Sequence, residues 1–272
     1  MSKIKSNLKV VSNVLKNTVK LRLWRAALRK IYSQSTQDIL SENARAYYQN
    51  SKIPMLQVMN ALGFQPQDFR WAPDAEHYLS ARAKEENKAD DAEVATQSKR
   101  QRMGGIASVG FLYSLVKAKN KRNCIECGVS MGGSSLSILR ALQSNDKGVL
   151  HSNDLPYLWL DEPLKDLGVL VSDDLKDRWE LTLGDDRDNL PSMLKTIGKV
   201  DMAHYDSNKE YSARENFWRR LIPFMDEQCT VVFDDIVDND HFFDLATSLP
   251  KNVWSVFVVE DEDKLFGLLQ KV

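Results

Sequence analysis

Residues 123–135 read Asn-Cys-Ile-Glu-Cys-Gly-Val-Ser-Met-Gly-Gly-Ser-Ser. A short apolar strand carrying Glu126 runs into a turn of small residues, Gly128, Ser130, Gly132 and Gly133, and a helical pattern over 134–143 follows at once. Glycine adopts positive φ at no steric cost and lets a ligand approach the backbone closely. The helix start adds unpaired N–H groups that favour a carboxylate or phosphate. The spacing is not G-x-G-x-x-G, and there is no Lys-Ser or Lys-Thr for a P-loop.

Moving outward, strands recur at 149–153, 179–183, 200–205 and 230–233, and each runs into acid: Asp154, then Gly184-Asp185-Asp186, then Asp206, then Asp234-Asp235. Helical periodicity fills the gaps, notably over 211–225 and 242–249. Strands alternating with helices predict a parallel, doubly wound sheet. Ligands of such sheets sit outside the carboxyl ends of the strands, where these acids collect. One carboxylate there is the ordinary result of solvent exposure, whereas a series of them predicts a ligand crevice.

These residues resemble a family. Glu126-x-Gly128-x-Ser130-x-Gly132, Asp154 after the second strand and Gly184-Asp185 after the third look like class I S-adenosylmethionine-dependent methyltransferases. Residues 204–211 (His-Tyr-Asp-Ser-Asn-Lys-Glu-Tyr) and 233–239 (Phe-Asp-Asp-Ile-Val-Asp-Asn) narrow the resemblance. They are similar to the branch of sugar and macrolide-glycoside O-methyltransferases and cephalosporin-hydroxylase-like proteins. The likeness covers roughly 100–272. It implies a Rossmann-like, seven-stranded α/β sheet with helices on both faces over 96–272; no motif of the resemblance covers the first hundred residues, where the residue pattern predicts a helical extension and linker over 1–95.

The resemblance also implies roles. Gly128, Ser130 and Gly132 would lie against the methionine part of S-adenosylmethionine, with Glu126 beneath its ammonium group. Asp154 would accept from the ribose hydroxyls, as an ionised carboxylate does. Asp185 would face the adenine amino group, with Asp186 as the competing choice. The alternative for each acid is a solvated loop residue or a helix cap. Asp206, Asp234 and Asp235 meet at neighbouring strand ends in this topology and offer hard oxygen ligands for Mg²⁺ or Ca²⁺; the alternative is that the twin aspartates only cap the next helix. A bound cation would lower the pKa of an acceptor hydroxyl. The candidate catalytic residues are Asp206 and Lys209. Where related patterns carry a second carboxylate after the fourth strand this chain has Asn208, which cannot take a proton. Lys209 could serve as base only if burial or a neighbouring cation depressed its pKa.

Whole-chain properties bound these readings. A chain of 272 residues with 43% hydrophobic content buries a sizeable core. There is no apolar run long enough to cross a membrane and no signal-peptide pattern. Three cysteines predict a reducing, cytoplasmic setting. Cys124 and Cys127 have redox-motif spacing but fall within the first strand, which predicts core packing. No H-x-x-x-H, H-E-x-x-H or G-x-S-x-G pattern supports a zinc enzyme or serine hydrolase.

Residues 1–37 hold nine of the 37 Lys and Arg and no acid, which leaves 28 basic against 38 acidic residues, a formal −10, in the rest. Leu8, Val11, Val14, Leu15, Val19, Leu23, Ala26 and Leu28 recur at near-helical spacing, and Trp24 joins them. A basic amphipathic helix suits docking on the catalytic domain of its own or a partner subunit, or an anionic membrane surface. The acidic remainder argues against nucleic acid. Helices are predicted over 41–50, 54–62 and 106–119, with turns at Pro66 and Pro73 and a polar helix or linker over 75–93. In the family the segment before the first strand often closes over the cofactor, which would bring Arg100 and Arg102 to its carboxylate; the alternative is surface arginines. The leading function is methyl transfer from S-adenosylmethionine to an oxygen of a small polar acceptor such as a sugar. The rival is a cofactor-binding or structural protein on the same fold that has lost the chemistry.

Overall fold

Strand β2 (Asn123–Cys127) lies at the centre of an eight-stranded sheet, in a computed structural model that describes residues 2–21, 23–33, 40–64, 109–165, 167–261 and 264–272. On one side of β2 come β3 (Val149–Asp154) and β4 (Trp179–Leu183). On the other come β5 (Val200–Tyr205), β6 (Met225–Phe233), β8 (Lys264–Lys271), β7 (Trp254–Asp261) and β1 (Lys52–Pro54). Only β8 runs antiparallel to its neighbours. Strands β4 and β5 coincide with the sequence reading; β6 begins five residues earlier than expected, because Asp226-Glu227-Gln228 masks its start.

Side-chain alternation distributes the core between two faces, as a period of two requires. Cys124, Met202 and Val232 point to one face, with Leu115 of α5 (Val109–Ala118) and Leu139 of α6 (Gly133–Ser144). Ile125, Ala203 and Val231 point to the other. There they meet Leu190 of α7 (Asp186–Ile197), Phe217 of α8 (Tyr211–Leu221) and Phe242 of α9 (His241–Ser248). Cys124 and Cys127 are fully buried free thiols in this core, as their place in a strand implies.

The N-terminal segment is helical, with one addition. Helices α1 (Ser2–Leu21) and α2 (Trp24–Ser33) precede α3 (Glu42–Ser51), β1 and α4 (Met55–Ala61). Strand β1 pairs in parallel with β7, so the expected seven strands become eight. Tyr48 of α3 and Val58 of α4 enter opposite halves of the core. Residues 42–64 thus wrap the β7 edge and cover it, which blunts an exposed edge. The linker over 75–93, the turns at Pro66 and Pro73, and Arg100 and Arg102 lie outside the described residues.

The strand order reverses at β2: β3 follows on one side and β5 on the other. A crevice opens outside the carboxyl ends of the strands at such a switch point. The β2–α6 turn and Asp206, which follows β5, both lie there.

Candidate active site

The β2–α6 turn alternates in backbone sign: Gly128, Ser130 and Gly132 have φ of 96°, 53° and 95°. A non-glycine residue in this region costs energy and needs outside support. Asp154 at the end of β3 supplies it, because its Oδ2 accepts from the N–H groups of Val129 at 3.0 Å and Ser130 at 2.6 Å. The two glycines serve close approach, but the approaching atoms are the protein's own. A Cβ on Gly128 would sit 2.1 Å from the carbonyl oxygen of Asp206, and one on Gly132 would lie 3.1 Å from Cα of Gly168. Gly168 and Leu170 close over the turn by donating to the carbonyls of Ser130 and Met131.

Glu126 lies beneath the turn and is fully buried. In β2 it stands beside Ser152 of β3 and His204 of β5. Its oxygens accept from the hydroxyls of Ser134 at 2.6 Å, Ser135 at 2.5 Å and Ser152 at 2.8 Å, and His204 Nδ1 lies 3.5 Å away. The carboxylate therefore ties the central strand to the first turn of α6, where the helix dipole favours negative charge. Burial lowers the pKa of His204, but its contact with Glu126 outweighs that and the net direction is up. Burial pushes the Asp154 carboxyl up to about 6 against the pull of the turn N–H groups.

The acids after β4 divide their work. Asp185 is the N-cap of α7, accepting from Arg187 N–H at 2.9 Å, and its Oδ2 forms an ion pair with Arg29 Nε of α2 at 2.9 Å. This is the helix-cap alternative realised, with an added partner that periodicity gave no means of locating. Asp186 is buried, with Tyr205 Oη 3.0 Å from its Oδ2, and burial together with Asp185 pushes its carboxyl up to about 7.

Asp206, Asp234 and Asp235 converge as the strand spacing predicts: each offers an oxygen within 4.8 Å of the others. Lys209 reaches all three, hydrogen-bonded to Asp206, with Nζ 3.2 Å from Asp235 Oδ2 and 3.8 Å from Asp234 Oδ2. Lys264 approaches from β8, 3.9 Å from Asp234 Oδ2 and 3.6 Å from Asp235 Oδ1. Desolvation pulls Lys209 down, but the three carboxylates pull it further up, the reverse of what a base needs. Burial and Asp206 push the Asp234 carboxyl up to about 6, while the lysines outweigh burial at Asp235 and bring it down. Asn208 has a local duty: its Oδ1 accepts from Glu210 N–H at 3.0 Å, the side-chain turn typical of Asn.

Sequence reading missed the residues that set this geometry. Arg214 of α8 is fully buried, and its Nη2 donates to the carbonyls of Asp234 at 3.1 Å and Asp235 at 2.8 Å. It thereby fixes Asp235 in a left-handed conformation, φ 48° and ψ 47°. Lys264 was hidden because it is distant in sequence and carries no motif. Ser134, Ser135 and Ser152 looked like ordinary small residues.

Residues 125–236 match a family model described as a methyltransferase domain. No curated protein matches the chain in sequence. Among solved structures the chain is similar to cofactor-bound Rv0187 from MTB, at 17% identity and a TM-score of 0.52, covering 74% of this chain and 98% of that one. It is also similar to TomG from Streptomyces achromogenes, an O-methyltransferase involved in tomaymycin synthesis and solved in complex with SAM. That match has 18% identity and a TM-score of 0.50 and covers 62% of this chain and 81% of the other. Both likenesses are likenesses of fold. The matched segment runs from Ile125 in β2 to Ile236, just past the twin aspartates, and so contains the turn, Asp154, Asp185 and the carboxylate trio. With the strand order, this makes residues 125–236 similar to a methyltransferase domain, on a Rossmann-like α/β fold.

Proposed function

We propose that the domain transfers a methyl group from S-adenosylmethionine to an oxygen of a small polar acceptor such as a sugar or glycoside. The observation that carries this reading is the placement of two chemistries side by side at one switch point. The Asp154-braced turn lies at the end of β2, and the Asp206–Asp234–Asp235 trio at the ends of the neighbouring β5 and β6. TomG, solved with SAM, supports the cofactor assignment on the same fold.

The residues fit the cofactor. Gly128, Ser130 and Gly132 would border its amino-acid end, with Glu126 acting from beneath through the serine hydroxyls, while Asp154 and Asp185 stand at the next two strand ends. When bound, the cofactor supplies an electrophilic methyl group for in-line displacement, a reaction in which positioning does much of the work. The donor set also fits Mg²⁺, which Asp206, Asp234 and Asp235 would hold, and which would lower the pKa of an acceptor hydroxyl. Within the Asp206–Lys209 pair, we assign the acceptor's proton to the Asp206 carboxylate. As the trio stands Lys209 keeps its own proton, so Lys209 first gathers the carboxylates as a cation. Cytoplasmic residence fits three buried free thiols, and contact with a second subunit or a lipid surface would run through α1 and α2.

Calorimetry with S-adenosylmethionine and its demethylated product tests the cofactor, and a mass gain of one methyl group on added sugars tests the transfer. Lys209→Met and Asp206→Asn should each abolish transfer while leaving cofactor affinity within about twofold of wild type. Full transfer after exhaustive chelation would exclude the metal. The raised pKa of Lys209 specifically favours the second reading, a cofactor-binding protein without transfer. Tight cofactor binding with no methylated product from any acceptor would select it.

A further inference from the structure

Helix α1 is seated with its polar side inward. Asn17 Nδ2 donates to the carbonyls of Leu158 at 2.9 Å and Leu160 at 2.8 Å, in the loop after β3. Asn13 Nδ2 donates to Trp159 O at 3.1 Å and Asp161 Oδ1 at 2.8 Å, and Thr18 is buried beside them. On a helix, i, i+4 and i+8 share a face. Val11, Leu15 and Val19 form such a row away from Asn17, and are 56%, 55% and 57% exposed. Trp24 and Leu28 repeat the spacing on α2 at 50% and 56%. A single exposed leucine is ordinary, whereas rows of large apolar side chains on two consecutive helices signify a contact surface.

The charge beside these rows selects the occupant. Lys16, Lys20 and Arg25 are exposed, each next in sequence to a member of the rows, and residues 1–37 contain no acid. A twofold contact between copies of this face would set lysines against lysines with no acid in the segment to offset them. An anionic lipid surface takes both features together. Apolar side chains enter the boundary between headgroups and acyl chains, and basic ones meet lipid phosphate. No described helix is long and apolar enough to cross a membrane, which leaves the in-plane arrangement.

We propose that the outer face of α1 and α2 is a peripheral docking surface for an anionic lipid bilayer, with Val11, Leu15, Val19, Trp24 and Leu28 entering it and Lys16, Lys20 and Arg25 contacting headgroups. The helices need not leave the domain to dock, because Asn13 and Asn17 hold the opposite side. The inference is independent of the reaction.

Sedimentation of the full chain with phosphatidylcholine vesicles, with and without phosphatidylglycerol, tests it. Binding should be at least about tenfold tighter to the anionic vesicles and should weaken with salt. The double variants Leu15→Ser/Val19→Ser and Lys16→Glu/Lys20→Glu should each lower that binding about tenfold or more, with unchanged thermal melting, since every altered side chain is exposed. Equal binding to neutral vesicles, or undiminished binding by either variant, overturns the proposal. So does a dimer in solution, free of lipid, that the Leu15→Ser/Val19→Ser variant converts to monomer, because a second copy then covers the face.

Discussion

Asp154 braces the turn, and its proposed role toward the cofactor separates from that one experimentally. Burial raises its pKa from 3.8 to about 6, so the folded state holds the proton more tightly than the unfolded one. For a carboxylate raised in this way, stability falls as pH climbs from 3.8 to about 6, and the cost is fully present at neutral pH. Asp154→Asn keeps an oxygen for the N–H groups of Val129 and Ser130 and removes the buried charge. Thermal denaturation at neutral pH should show it as stable as wild type or more so, with a flatter profile below pH 6. Calorimetry should show cofactor affinity at least about tenfold lower, since charge-assisted bonds are worth about 1.5–3 kcal/mol. Wild-type affinity in this variant would mean that the carboxylate serves the turn alone. His204 runs the same way, since its folded state also holds the proton more tightly. Beside Glu126 it is raised above 6.5, so its contribution is fully present below that pH and is lost as pH rises through the folded value. Glu126→Gln turns an amide toward three hydroxyls that now donate to a carboxylate, at a cost of about 1–3 kcal/mol. Urea melts on either side of neutral pH should show that loss and the disappearance of the histidine's contribution. An unchanged pH profile would show that Glu126 does not set the His204 charge.

Elements acquire their function here from what is clamped at their ends. The turn before α6 is held from above by Gly168 and Leu170 and from the side by Asp154. Gly132→Val would force a branched side chain to φ near 95°, with its Cβ 3.1 Å from Val171 Cγ2. The expected result is a folded protein by circular dichroism with cofactor affinity reduced about tenfold or more; undiminished affinity would place the cofactor elsewhere. At the carboxyl end of β6, Arg214→Lys exchanges the planar Nη2 that donates to both carbonyls for a shorter-reaching, rotatable ammonium. Mg²⁺ titration by calorimetry should show affinity about tenfold weaker than wild type, with Lys264→Met, which removes only a competing charge, moving it the other way. Much of this frame was legible in sequence, since β4 and β5 stand out between turn residues and the acids after β5 and β6 predicted the trio. What was hidden is non-local. Strand β1 is three residues including Pro54, too short for alternation to register, while β7 and β8 entered the expectation only through the family resemblance. The roles of Arg214 and Lys264 depend on chain returns of 20 residues and more, about which periodicity says nothing.

At the scale of the molecule, the N-terminal segment inverts the usual logic of amphipathic helices. Apolar spacing in residues 8–28 left open whether the stripe packs on protein or on lipid, and the protein binds Asn13 and Asn17 and turns Val11, Leu15, Val19, Trp24 and Leu28 outward. The exchange is reasonable on the domain's side, because the loop after β3 offers bare carbonyls at Leu158, Trp159 and Leu160, and asparagine amides satisfy them. The same loop carries Tyr157, whose Oη lies 3.5 Å from Ser130 Oγ in the β2–α6 turn. Arg29 likewise reaches the other half of the crevice, pairing with Asp185 and Asp188 at the start of α7. The helices therefore brace the loops after β3 and β4, the two that we propose border the adenosine end of a cofactor, and the eight strands all lie outside α1 and α2. Deleting residues 1–39 should leave the sheet intact, with far-ultraviolet circular dichroism changed only by the lost helices. Hydrogen exchange in residues 155–165 should accelerate as the three carbonyls lose their partners. Cofactor affinity should fall about tenfold, because binding must then order a loop that the intact chain holds ready. Unchanged exchange and affinity would show that the segment rests on the domain without bracing it. Loss of the cooperative melt would show that it belongs to the folding core.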